Sequence, residues 1–239
     1  WNTLWNGGAT SAISYTSAQN IPFAFKFNGA DVSTYTVGNY GTVTFDAVGT
    51  PSVKPSAFSN VSLPSSDIPD NSVCVLGIQP ISVASGSTTY QSAVMTKTFG
   101  TAPNRQHWIS FNSCTEANNS TGFTYMSIVL EETTNKIYFV DQRVSTANVT
   151  KIIAGIQLDS SVAFKLNNAN TYACKAPNSQ DYEDNFHYTF SPGSLLAKNA
   201  TLVSIDNAKY ELLSNAPYEI IYSIGNNGSE TIVSKNIKT

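Results

Sequence analysis

The sequence predicts an all-β protein: an antiparallel β-sandwich of jelly-roll or nidogen-like type over residues 1–192, then part of an immunoglobulin-like β module over 193–239. Three observations carry this. Short β-prone runs recur along the chain, separated by Gly, Pro, Asn and Ser. No stretch of a dozen residues combines 3.6-residue periodicity with helix caps. The segment 122–141 reads as a hairpin, with Met126, Ile128 and Leu130 on one strand face and Phe123, Tyr125 and Val129 on the other. Thr133, Thr134 and Asn135 break that run before Ile137, Tyr138, Phe139 and Val140 return. A strand apolar on both faces needs cover on both sides, so this hairpin is expected at the centre of a sandwich.

The elements follow in order. Residues 1–20 read as irregular, with Trp1 and Trp5 as anchors or as stacking platforms for sugar rings. Residues 21–27 alternate strictly, placing Phe23, Phe25 and Phe27 on one face before the Asn28-Gly29 turn. Residues 35–37 and 42–45 flank Gly38-Asn39-Tyr40-Gly41 as a second hairpin. Residues 51–70, with four prolines, read as a long loop. Strands are expected at 73–81, 91–99, 105–111, 151–157, 162–166 and 186–190. Gly-Ile-Gln occurs at Gly77 and again at Gly155, which suggests two similar strands. Beyond Gly193, strands are expected near 201–206, 218–224 and 230–234, too few for a complete immunoglobulin-like sandwich. That shortfall leaves three readings: docking onto the first domain, continuation of the chain, or self-association by strand exchange through the C-terminal strands.

Composition narrows the function. Charged residues make up 12% of the 239, about half the usual share of roughly 25%. The formal net charge is -3 with no basic run, which argues against nucleic acid as a partner. No apolar run approaches the roughly 18 residues of a membrane span. The chain starts at Trp1 without Met, which reads as a processed or trimmed chain. Cys74 lies in an apolar strand and reads as a buried free thiol. Cys114 and Cys174 fall in polar stretches read as loops, so a disulfide between them is expected in an oxidising compartment.

Candidate chemistry is sparse. His107 and His187 have no Cys or carboxylate at ligand spacing and read as structural. Glu131 and Glu132 are adjacent on a strand, so they point to opposite faces and cannot share a glycosidase cleft. Asp181, Glu183 and Asp184 form a solvated acidic loop or, alternatively, a structural calcium site. Asn60, Asn118, Asn119, Asn148, Asn199 and Asn227 lie in glycosylation sequons. Trp1, Trp5, Tyr40 and Trp108 are the candidate ligand platforms.

The runs 100–105 and 108–111, the strand 123–131 with its Thr134-Asn135-Lys136-Ile137 turn, and Gly155-Ile156-Gln157 together resemble a family of secreted surface proteins of Gram-negative gut and environmental bacteria. Members are exported across the outer membrane and sorted by a C-terminal signal. Residues 21–27 and 35–45 resemble the same family's opening strands and its nidogen-like relatives. Residues 215–234 resemble the immunoglobulin-like module that follows. Here Leu130-Glu131-Glu132 stands where the family often has an aromatic residue before the acid. The resemblance implies a non-enzymatic extracellular cell-surface module for display, adhesion or assembly, with protein or glycan partners and no cofactor. The alternatives are a carbohydrate-binding module and a glycan-cleaving enzyme.

Overall fold

A computed structural model gives the fold. It describes residues 1–8, 14–46, 63–85, 87–116, 124–144, 153–166, 186–193, 200–205 and 222–226. The chain divides into two compact units, Trp1–Pro192 and Gly193–Thr239.

The first unit is an antiparallel sandwich. One sheet takes β1 (Asn2–Gly7), β8 (Thr88–Phe99), β9 (Gln106–Glu116), β10 (Thr124–Glu131), β11 (Ile137–Val144) and β14 (Phe186–Phe190) in that spatial order. Short strands β6 (Ile78–Gln79) and β7 (Ser82–Ser85) join it by pairing with β9 and β8. The other sheet runs β13 (Val162–Lys165), β12 (Ile153–Asp159), β5 (Ser72–Leu76), β4 (Thr42–Thr44), β3 (Ala30–Gly38) and β2 (Gln19–Phe27). Strand β10 lies between β9 and β11, and both its faces are largely buried, as its apolar residues require.

The core fills the space between the sheets. Phe23, Phe25, Phe27, Val37, Val43, Val73, Val75 and Ile156 meet Val94, Ile109, Phe111, Met126, Ile128, Leu130 and Phe139. Strict alternation in β2 puts its phenylalanines inward and Ala24 and Lys26 outward. A second, smaller cluster of Leu63, Ile68, Cys74 and Ile153 covers the opposite face of the β12–β5 pair. Gln157, fully buried, fastens residues 63–70 over it. Its amide donates to the Ser65 and Ile68 carbonyls at 3.0 and 2.9 Å and accepts from the Ser65 N–H at 2.8 Å.

Several expectations are corrected. Residues 2–7 form an edge strand: the polar sequence Asn-Thr-Leu-Trp-Asn-Gly is held by backbone pairing to β8, with Leu4 and Trp5 packed on the core. The predicted strand 73–81 is broken at Gly77, whose φ of 93° turns the chain from the β5 sheet to β6 on the β9 side. Gly155 instead sits within β12, where a side chain would strike the Phe164 carbonyl and Leu63. The two Gly-Ile-Gln runs therefore occupy different settings. Cys114 lies on β9 in the core, opposite Thr124, rather than in a loop.

In the second unit, β15 (Ala200–Ile205) and β16 (Tyr222–Asn226) pair antiparallel, Leu202 facing Ile224. The strand expected at 230–234 lies outside the described residues.

Candidate surface site on the larger sheet

Register places a set of side chains on the outward face of the larger sheet. Lys97 of β8 stands opposite Trp108 of β9, Trp108 opposite Val129 of β10, and Val129 opposite Tyr138 of β11. One pair of residues further along, Phe99 faces Gln106, and Gln106 faces Glu131. His107, Ile109 and Phe111 alternate to the inner face.

Three aromatic rings form a ladder across the start of β1, the end of β8 and the beginning of β9. Trp1 meets Phe99 edge-on at 5.8 Å and 70°, and Phe99 meets Trp108 at 6.0 Å and 79°. Trp1 and Phe99 are 50% and 40% exposed, so two of the three rings present substantial apolar area to solvent. The Lys97 ammonium lies over the Phe99 ring, 4.8 Å from its centroid.

Polar groups hold the neighbouring rings in place. The Trp108 indole N–H donates to Gln106 Oε1 at 3.3 Å, and Gln106 Nε2 donates to Glu131 Oε1 at 3.1 Å. Thr134 and Tyr138 donate to Glu131 Oε2 at 2.5 and 3.0 Å. Partial burial opposes the charge on Glu131. Hydrogen bonds from Thr134, Gln106 and Tyr138, with the Lys136 charge, outweigh it and hold the carboxyl below its usual range. Glu132 belongs to a separate network. Arg105 donates to it from Nε at 2.8 Å, from Nη2 at 2.6 Å and from its backbone N–H at 3.1 Å. These bonds hold Glu132 below the usual carboxylate range. The Arg105 guanidinium also stacks on Phe23, 5.4 Å from the ring centroid.

The sequence-predicted platforms therefore separate. Trp1 and Trp108 come together through Phe99, which sequence reasoning passed over. Trp5 packs against the core. Tyr40 is 5% exposed and offers no face to a ligand, because the tight turn that carries it folds inward. Successive rings of the ladder are steeply inclined, so they make no flat platform.

Among the described residues, no group of three or more His, Cys, Asp or Glu could hold a metal ion. Asp181, Glu183 and Asp184 lie outside those residues, as do all six sequon asparagines. Cys114 is a free, buried thiol like Cys74, and Cys174 lies outside the described residues. His107 is 6% exposed, and His187 is exposed beside Tyr138 at 5.9 Å. Among the described residues, no helix is long and apolar enough to cross a membrane.

A family model described as NIDO related matches residues 4–192. The chain belongs to that family. The match runs from β1 to the end of the first unit, so the NIDO-related region takes in both sheets and the aromatic ladder except Trp1. No curated protein and no solved structure matches this NIDO-related chain.

Proposed function

We propose that this NIDO-related chain is a non-enzymatic extracellular module that attaches a cell surface to its surroundings, by display, adhesion or assembly. The observation that carries the reading is the solvent-facing Trp1–Phe99–Trp108 ladder on the larger sheet. Exposed aromatic rings grouped edge-on favour binding, because contact with a ligand removes their apolar area from water. The separate engagement of Glu131 and Glu132 by their own donors favours binding over hydrolysis. Low charge and abundant Asn, Ser and Thr suit an extracellular surface. The resemblance to C-terminally sorted proteins of Gram-negative bacteria supports a location outside the outer membrane.

Retention of labelled chain on mucin-coated surfaces and on intact bacterial cells tests the reading. Trp1→Ala and Trp108→Ala should each lower retention several-fold. Retention equal to the unaltered chain would remove the ladder from the function. Release of reducing ends from a glycan mixture would replace the binding reading with an enzymatic one.

A further inference from the structure

We infer that the ladder and Lys97 form a subsite for an acidic oligosaccharide, a chain of pyranose rings bearing carboxylates. This rests on the binding role proposed above and names its ligand class.

Charge complementarity is the first argument. Lys97 takes no part in the ion pairs Lys26–Asp31 and Arg105–Glu132. Lys97 is exposed and flanked by aromatic rings, with Phe99 beneath its ammonium and Trp108 opposite across the strand pair. A cation set among rings suits a ligand with an apolar face and a negative group close together. A pyranose carrying a carboxylate has both. The nearby acid, Glu131, is occupied by Gln106, Thr134 and Tyr138, so its charge is turned into the protein rather than toward such a ligand.

Ring spacing is the second argument. The steps of 5.8 and 6.0 Å, each with a large change of ring plane, give successive sugar rings of a twisted soluble chain separate contacts. A flat polysaccharide surface would need coplanar rings. The ladder also crosses from the head of β1 over β8 to β9. A peptide that added a strand would pair along one sheet edge, which is not this path.

Calorimetric titration of the full chain tests the inference, with oligogalacturonate and its methyl ester as probes. Esterification removes the negative charge and adds a methyl group while leaving the pyranose rings unchanged. The acid form should bind, and esterification should weaken it about tenfold or more, as should Lys97→Gln. Raising the salt concentration should weaken the acid form selectively. Trp108→Ala should remove binding, and Trp1→Ala, at an exposed position that leaves the core intact, should weaken it. Equal binding of acid and ester would overturn charge recognition. Binding of polyglutamate with the same Lys97 dependence would overturn the sugar assignment. If neither glycan binds while ladder-dependent retention on surfaces persists, this inference falls and the adhesive role stands.

Discussion

Tyr35 and His107 lie 72 residues apart in sequence, and the Tyr35 hydroxyl meets His107 Nε2 at 2.7 Å across the interior. Tyr35 belongs to the smaller sheet and His107 to the larger, so this is a polar tie between the two layers. On its other side, His107 Nδ1 meets the Thr98 hydroxyl at 2.9 Å. Burial pushes the imidazole down to about 4 and the Tyr35 phenol well above its usual range, so both are neutral at pH 7.

The first prediction concerns acid. The folded value of His107 lies below the unfolded value of roughly 6.5, so the unfolded chain binds the proton more readily. Its contribution is whole above pH 6.5 and is lost as pH falls toward 4, reaching about 3 kcal/mol. Urea titrations at pH 7 and pH 4 should show that loss in the unaltered chain and a flatter profile in His107→Gln. Equal slopes would refute the assignment. Tyr35→Phe should cost about 1–3 kcal/mol at pH 7 by leaving a buried ring nitrogen without its partner.

Two turn glycines should respond differently to alanine. Gly41 has φ 94°, and an added Cβ would run into the Val75 carbonyl oxygen. Its own carbonyl accepts from the Val75 N–H at 2.7 Å, so neither strand can withdraw without losing that bond. Gly29 has φ 79°, with open space around it. Gly29→Ala should cost about 1–2 kcal/mol, the strain of left-handed backbone alone. Gly41→Ala should cost clearly more, and equal melting temperatures for the two variants would contradict the contact.

The thiols give a third test. Burial raises Cys74 well above the usual thiol range and pushes Cys114 up to about 12, against a smaller lowering from the hydrogen bond with Ser92. Thiolates carry thiol reactivity, so both should resist iodoacetamide at pH 8 in the folded chain and label on unfolding. Peptide mass mapping reads each site separately. Rapid native labelling of either cysteine would place it outside the core.

A fourth prediction isolates the fastening of residues 63–70. Gln157→Leu keeps the volume but removes three hydrogen bonds. It should cost about 2 kcal/mol. Hydrogen exchange should accelerate at the Ser65 and Ile68 amides before it changes at Ile128. Uniform acceleration would mean that the loop is not separately held.

Much of the architecture was legible because alternation is a strong signal. Residues 21–27 and the hairpin around Ile128 and Phe139 could hardly bury their apolar faces another way. Composition hid other elements. Strand β1 is too polar to announce itself, since its order comes from backbone pairing with β8. Cys114 sits in a polar sequence, FNSCTE, yet alternation continues through a local irregularity at Ser113, φ 54°. The ladder was half visible: two tryptophans stood out, but only the β8–β9 register and the neighbourhood of Trp1 bring Phe99 between them. Glycine at residue 77 gave no sign that the chain changes sheets there.

That change of sheets also bears on the order of assembly. Strands β8 to β11 follow one another in sequence and in space, so they close through short connections. The β5–β12 pairing instead joins Cys74 to Gly155 and encloses that whole meander. Closing a loop of that length carries more entropy than closing a hairpin, and contacts distant in sequence slow folding. The β8–β11 meander can therefore gather from neighbours along the chain, whereas β1 on β8 and β12 on β5 are added by long-range pairing. Substitutions at the β5–β12 pairing should slow formation of the second layer, and those in the meander should delay nucleation of the first.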